Sequence, residues 1–134
     1  MSQTAASQLV LIVEDNDKNR KLFRDVLHYH GFRTLEASTS AEGITLALSH
    51  QPDLVLLDIQ LPDVDGVETL NHLRTHHNAL SCAVVALTAY AMKDDAERFL
   101  NAGFDGYISK PIDILEFPKL VDRYCRMKPR RAPA

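Results

Sequence analysis

The chain alternates short apolar runs with longer segments in which apolar residues recur at helical spacing. The first run, residues 9–13, is continuously aliphatic, which is typical of a strand buried on both faces of a sheet. Comparable runs at 32–37, 54–58, 83–87 and 104–108 predict four more strands. Strict alternation of strands and helices indicates an α/β fold with a parallel sheet.

Five helical segments are predicted between and after these strands. In the first, five residues fall on one helical face: Asn19, Leu22, Phe23, Val26 and Leu27. Gly31 is expected to end this helix, and Ser40 is expected to cap the second. The remaining helices are expected around 67–73, 92–101 and 113–127.

The topology follows from the connections between strands. Right-handed crossovers favour a doubly wound five-stranded parallel sheet in the order 2-1-3-4-5, with five helices, of the flavodoxin-like type. The second strand alternates apolar and polar residues and is therefore expected nearer an edge. We expect one domain, residues 9–127, between a disordered N-terminal segment, 1–8, and a basic C-terminal tail, 128–134.

The last predicted helix contains a proline at a position where a regular helix disfavours it. Asp113 followed by Glu116 is typical of a capping box at a helix start. Pro118 would then be the fifth helical residue, where its missing N–H costs roughly 3 kcal/mol in a regular helix. We therefore expect the regular helix to begin later, nearer Glu116, or to kink at Pro118. Leu115 and Phe117 are expected to be less firmly held than the residues that follow.

Composition and charge limit the classes of partner expected for this chain. The formal net charge is -3 at pH 7, which argues against nucleic acid as the main partner. No stretch approaches the ~20 apolar residues of a membrane span, and the start lacks the features of a signal peptide. Cys82 and Cys125 have no metal-ligand or redox spacing. We expect a cytoplasmic protein with two reduced thiols and neither a nucleic-acid nor a membrane partner.

Polar residues that could carry chemistry stand at the ends of the predicted strands. In a doubly wound sheet the ligand site lies beyond the carboxyl ends of the strands. Glu14 and Asp15 follow the first strand, and Asp58 ends the third. Thr88 follows the fourth strand and Lys110 the fifth. Three carboxylates, a hydroxyl and an amine are therefore expected to converge on one edge.

The three carboxylates predict a divalent cation. Such close carboxylates repel one another, and one would protonate unless another group cancelled their charge. Mg²⁺ accepts carboxylate and carbonyl oxygens and usually completes its shell with water or a phosphoryl oxygen. Asp15, Asp58 and the backbone carbonyl of Gln60 are the candidate ligands, with Glu14 acting directly or through water.

The same edge has the parts needed for phosphoryl transfer. The Asp58 carboxylate can act as a nucleophile and form an aspartyl phosphate. Thr88 and Lys110 can hold phosphoryl oxygens by hydrogen bond and charge. Any one of these residues alone would more often be a cap, a turn residue or a surface residue. Their order at the ends of different strands makes the set specific.

These motifs resemble the receiver domain of two-component response regulators over about residues 9–127. The resemblance is carried by residues 11–16, 52–62, 87–90 and 109–111. Thr88 lies thirty residues after Asp58, and Lys110 twenty-two after Thr88, as the family pattern requires. Within the family the chain is most similar to single-domain regulators of the DivK type.

The resemblance implies a role for each site residue. Asp58 is implied to be the phosphorylation site, and Tyr107 the aromatic residue that reorients on activation. Mg²⁺ is implied to bind at Glu14, Asp15, Asp58 and the Gln60 carbonyl, and the phosphoryl group to contact Thr88 and Lys110. The Lys110–Pro111 peptide bond is implied to be cis. Glu14 replaces the aspartate often found at the first acidic position, a common variant.

The expected function is that of a signalling protein whose only chemistry is its own phosphorylation and dephosphorylation. A sensor histidine kinase or a histidine phosphotransferase would supply the phosphoryl group, and a downstream protein would bind the phosphorylated form. The alternative is a phosphate shuttle or sink that exchanges phosphoryl groups with a histidine phosphotransferase. We expect a monomer or a weak phosphorylation-dependent dimer. The chain ends soon after the last helix, so no attached effector is expected.

Two other functions on this fold fit the sequence less well. A flavin or nucleotide module places amides or hydroxyls after the first strand to bind phosphate. Here residues 14–17 are Glu-Asp-Asn-Asp, which would repel an anion without a metal. A phosphatase or mutase with an aspartyl intermediate normally needs a second aspartate two residues after the nucleophile. This chain has Gln60 there.

Overall fold

The computed structural model describes residues 8–61, 65–75, 82–89 and 93–127, in which five strands alternate with five helices. The strands are β1 (Leu9–Val13), β2 (Arg33–Ala37), β3 (Leu54–Asp58), β4 (Ala83–Thr88) and β5 (Gly106–Ser109). The helices are α1 (Asp17–Tyr29), α2 (Ser40–His50), α3 (Gly66–Thr75), α4 (Lys93–Ala102) and α5 (Phe117–Cys125). Apart from Gln8, the expected disordered segment and basic tail lie outside these residues, as does Met92.

The five strands form one parallel sheet in the order β2-β1-β3-β4-β5, so the predicted topology is confirmed. Every residue of β3 and β4 is buried, whereas β2 at the edge is mostly half-buried. The pattern of continuous apolar runs in the centre and alternation at the edge therefore matches burial. Among the described residues, none of the helices is both long and apolar enough to span a bilayer.

Two apolar layers hold the helices on the two faces of the sheet. On one face, Phe23 of α1 and Phe117 of α5 pack against Ile12. On the other, α2, α3 and α4 place Ala47, Leu70 and Phe99 against the sheet. Leu22, expected on the apolar face of α1, is 42% exposed. Its neighbours Phe23 and Leu27 fill the available space instead.

The cap of α2 differs from the expectation. Thr39 is the N-cap, and its hydroxyl accepts a 3.2 Å hydrogen bond from the Glu42 N–H. Ser40 is the first helical residue and is buried, with its Oγ 2.6 Å from Thr69 Oγ1 on α3. Either hydroxyl could cap the helix, so local sequence does not separate them. The contact with α3 decides the roles, and the prediction for Ser40 was wrong.

The start of α5 follows the first of the two expected options. The helix begins at Phe117, so Pro118 lies in the first turn, where its missing N–H breaks no helical bond. Asp113 Oδ1 instead accepts from the N–H groups of Leu115 at 2.9 Å and Glu116 at 3.3 Å, which closes a preceding turn. Leu115 is 74% exposed, as expected of a loosely held residue. The expectation for Phe117 was wrong, because its buried ring lies 5.4 Å from the Phe23 ring.

Candidate functional site

The structure brings the predicted polar residues together at the carboxyl edge of the sheet. All five strands are parallel, so the C-terminal ends of β1, β3, β4 and β5 meet along one edge. Glu14 follows β1, and Asp58 is the last residue of β3. Thr88 ends β4, and Lys110 follows β5 directly. The convergence expected from strand order is therefore present.

Three carboxylates form a compact acidic cluster at this edge. Glu14, Asp15 and Asp58 each offer one oxygen, and these oxygens lie within 4.8 Å of one another. Glu14 and Asp58 are buried, whereas Asp15 is exposed. Burial and the nearby Asp58 charge raise the pKa of Glu14, although hydrogen bonds from Asn16 and Lys110 oppose that rise. The cluster therefore concentrates negative charge next to an opening to solvent.

Lys110 supplies a positive charge to the two buried carboxylates. Its Nζ lies 3.1 Å from Glu14 Oε1 and 3.4 Å from Asp58 Oδ2. Burial lowers the pKa of Lys110, but Asp58 and Glu14 together raise it above its ordinary value. The ammonium therefore stays charged at neutral pH. Its backbone N–H donates to Thr88 O at 2.8 Å, and the Lys110–Pro111 bond is cis, as the resemblance implied.

Asp58 is held by the loop that follows β3. Its Oδ1 accepts a 2.9 Å hydrogen bond from the Gln60 N–H, while Oδ2 faces Lys110. The loop lies close to the start of α3, where Gly66 N donates to Ile59 O at 3.2 Å. A Cβ atom at Gly66 would lie only 2.6 Å from Ile59 Cα. Gly66 was not among the predicted site residues, although a glycine at a helix start after a buried strand could have indicated this close approach.

The loop that follows β1 is fixed by α1. Asn16 caps that helix by accepting from Asn19 N at 2.9 Å, and its own N–H donates to Glu14 Oε2 at 3.1 Å. Arg20 donates from Nη1 to the Glu14 backbone oxygen at 2.8 Å. Sequence reasoning missed Arg20, because an arginine in the second turn of an amphipathic helix is usually a surface residue.

Thr88 and Tyr107 lie on the same face of the sheet. Tyr107 is in register with Ala86, and Thr88 is two residues beyond Ala86, so their side chains point to the same side. Thr88 is buried, whereas Tyr107 is half-buried. Tyr107 also borders a cavity of about 400 Å³ whose other lining residues include Ile112 and Tyr124. Ile112 and Tyr124 pack on the α5 face of the sheet, whereas the Tyr107 side chain packs against the apolar layer on the Thr88 face.

Comparison with known proteins shows the family to which the chain belongs. The family model of the response regulator receiver domain matches residues 10–122. The polar-differentiation response regulator DivK of Brucella ovis is 44% identical over 115 residues, which cover 86% of this chain and 94% of that protein.

Two solved receiver domains share the fold. One, from a sensor histidine kinase of Pseudomonas aeruginosa with magnesium coordinated in its active-site cleft, is 29% identical, with a TM-score of 0.80 and coverage of 90% of this chain and 98% of that one. The other, from Ssk1 of Saccharomyces cerevisiae in complex with the histidine phosphotransfer protein Ypd1, is 25% identical, with a TM-score of 0.80 and coverage of 90% of each chain. This chain therefore belongs to the family of response regulator receiver domains.

Proposed function

We propose that this chain is a single-domain response regulator of a phosphorelay that is phosphorylated on Asp58 with Mg²⁺ as cofactor. The observation that carries the proposal is the position of the Asp58 carboxylate. One oxygen is held by the Gln60 N–H, the other faces the Lys110 ammonium, and two further carboxylates lie within 4.8 Å. This arrangement combines a nucleophile, a cation for the incoming charge and a set of oxygen ligands.

The residues present fit Mg²⁺ as the resident cofactor. Magnesium prefers a few carboxylate oxygens and keeps open positions for water and phosphoryl oxygens. Glu14, Asp15 and Asp58 supply the carboxylates, and the Gln60 backbone carbonyl would complete the protein ligands. Three carboxyl groups share the cluster, and the single Lys110 ammonium contacts two of them, so negative charge remains to be offset. When bound, Mg²⁺ would neutralise that charge so that an anionic phosphodonor could approach.

The phosphoryl transfer itself uses residues of this chain. A carboxylate oxygen of Asp58 forms a bond to phosphorus as the bond between phosphorus and the histidine nitrogen of the donor breaks. The Lys110 ammonium and the Thr88 hydroxyl bind the phosphoryl oxygens. The donor is a sensor histidine kinase or a histidine phosphotransferase. The relative crystallised with a histidine phosphotransfer protein supports the second donor class.

The output is phosphorylation-dependent binding of a downstream protein, through a change that runs from Thr88 to Tyr107. The second candidate is a phosphate shuttle or sink that exchanges phosphoryl groups with a histidine phosphotransferase, the kind of protein with which the Ssk1 receiver domain was crystallised. These two candidates differ in a measurable way. A shuttle returns its phosphoryl group to a histidine phosphotransferase faster than it releases phosphate to water, whereas an output regulator keeps its phosphoryl group until it binds its target. We expect a monomer or a weak dimer that forms on phosphorylation.

The test of this function is phosphorylation of Asp58→Asn. The unchanged protein should form an acid-labile, hydroxylamine-sensitive phosphoryl group with a cognate kinase or a small phosphodonor, and chelation of divalent metal should prevent it. Asp58→Asn should form none. Asp25→Asn, a change on the exposed side of α1, is the matched control and should label normally. Undiminished labelling of Asp58→Asn would refute the proposal.

A further inference from the structure

Arg20 is a second cation next to the acidic cluster and is held in three directions at once. Its Nη1 donates to the Glu14 backbone oxygen at 2.8 Å, and its Nη2 lies 2.6 Å from Asp17 Oδ1. Its Nε forms an ion pair with Glu36 Oε1 of β2 at 3.3 Å. The side chain is only 19% exposed. A planar guanidinium can serve several acceptors in fixed directions, which an ammonium cannot do.

A contact to the Glu14 backbone oxygen can affect the orientation of Asp15. This oxygen belongs to the peptide unit that joins Glu14 to Asp15, and that unit is planar. Fixing the direction of the Glu14 carbonyl therefore fixes the plane of this peptide unit. The unit ends at the Asp15 Cα atom, which carries the Asp15 side chain. The other end of Glu14 is also fixed, because its N–H donates to Ala37 O at 3.0 Å.

Asp15 itself has no comparable support. Its side chain is exposed, and among the described residues no hydrogen bond or ion pair to its carboxylate is found. Its position beside Asp58 must therefore come from the backbone. This contrasts with Glu14, whose carboxylate is held by Asn16 and Lys110.

We infer that Arg20 is a positioning residue that orients the Glu14–Asp15 peptide and thereby sets the affinity of the acidic cluster for Mg²⁺. The inference rests on the proposed function, in which this cluster binds Mg²⁺. Partners that orient metal ligands from outside the coordination shell typically contribute 10- to 100-fold to metal affinity or activity. The chain offers a close internal control for this role.

Arg24 is that control, because it lies one helical turn after Arg20 and contacts the same acid. Its Nη1 lies 3.0 Å from Glu36 Oε2 and 3.2 Å from Oε1, and its Nε lies 3.4 Å from Asp25 Oδ1. Its contacts within the described residues do not include the loop after β1. Arg20→Lys and Arg24→Lys both keep the charge and loosen the Glu36 pair. Only Arg20→Lys removes the guanidinium N–H that donates to the Glu14 backbone oxygen.

The experiment is a calorimetric titration with Mg²⁺ alone of the unchanged protein and both lysine variants, with urea unfolding of each without metal. We expect Arg20→Lys to raise the Mg²⁺ dissociation constant about tenfold. Arg24→Lys should leave that constant unchanged, while both variants lose similar stability. The same Mg²⁺ affinity in Arg20→Lys and the unchanged protein, or an equal loss in the two variants, would overturn the inference.

A double-mutant cycle tests the route through Asp15. If Arg20 acts by orienting Asp15, Arg20→Lys should weaken Mg²⁺ binding no further once Asp15→Asn is present. Additive losses would show that Arg20 acts elsewhere and would overturn the inference. If the unchanged protein bound no Mg²⁺, the proposed function would fail, and the inference with it. Normal Mg²⁺ binding with no effect of Arg20→Lys would leave the proposed function standing.

Discussion

Among individual residues, Arg74 and Asp105 form the most completely buried ion pair described at the edge opposite the site. Arg74 Nη2 lies 2.6 Å from Asp105 Oδ2, and the same oxygen accepts from Val84 N at 2.8 Å. The Asp105 side chain is 0% exposed. We predict that Asp105→Ala destabilises the fold by about 3–5 kcal/mol, because it leaves a largely buried guanidinium without its ion-pair partner. Urea unfolding measures this loss.

The control for Asp105→Ala is an exposed ion pair of similar geometry. Lys21 and Asp25 lie 2.6 Å apart on the surface of α1. Exposed pairs contribute little, so Asp25→Ala should leave the unfolding midpoint nearly unchanged. Similar losses of stability in the two variants would show that burial adds nothing to the contribution of the Arg74–Asp105 pair.

A second prediction at this scale concerns the two free thiols. Burial raises the pKa of Cys82 to about 12 and that of Cys125 to about 12. The thiolate is the reactive form, so at pH 8 both native thiols should react slowly with a disulfide reagent. Urea exposes the thiols and returns each pKa to its ordinary value of about 8.5. We expect labelling at pH 8 to be much faster in urea, and equal rates would contradict the assigned burial.

Among the elements, the contact between α5 and β5 depends on one glycine. A Cβ atom at Gly106 would lie 2.6 Å from two ring carbons of Tyr124. Burial raises the pKa of Tyr124, and a hydrogen bond with the Tyr107 backbone opposes the rise. The Tyr124 hydroxyl therefore lies against the edge strand of the sheet. We predict that Gly106→Ala lowers the free energy of unfolding by about 1–3 kcal/mol, the usual cost of overpacking.

The control for this prediction shortens the opposing side chain. Tyr124→Leu removes the ring atoms that meet the new methyl group, so Gly106→Ala should cost less in that background. Urea unfolding of the four proteins gives the coupling energy. Zero coupling would show that the ring moves aside freely and that α5 is not fixed by this contact.

Elements also show where sequence was sufficient and where it was not. The buried strands and their polar ends were predictable, because continuous apolar runs and the parallel topology together place Asp58 and Lys110 at one edge. Ser40 was misassigned because its role depends on Thr69, a partner distant in sequence. Arg20 and Gly66 were missed although their partners Glu14 and Ile59 are near in sequence, because a contact to a backbone atom of a loop leaves no periodic signal.

At the scale of the whole molecule, the question is how a phosphoryl group on Asp58 would change a distant surface. Thr88 is buried on the same face of the sheet as Tyr107, one strand away. Moving the Thr88 hydroxyl toward the phosphoryl group would vacate space that the Tyr107 ring can fill. The Tyr107 side chain is only half-buried where it packs on that face, so its ring is not enclosed by the core. Two packings of similar energy, biased by one local charge, make a switch.

We predict that Thr88→Ala separates phosphorylation from this switch. Asp58, Lys110 and the acidic cluster remain in that variant, so it should still accept a phosphoryl group, although more slowly. Without the hydroxyl, the phosphoryl group has no means of moving position 88, and Tyr107 keeps its resting packing. Hydrogen exchange of α4 and β5 should therefore change on phosphorylation of the unchanged protein but not of Thr88→Ala. Thr88→Ser keeps the hydroxyl and should retain most of the change. A phosphorylated Thr88→Ala protein whose β5 exchange shifts like that of the unchanged protein would show that the signal leaves Asp58 by another route, with the hydrogen bond from Gly66 N to Ile59 O the next to test.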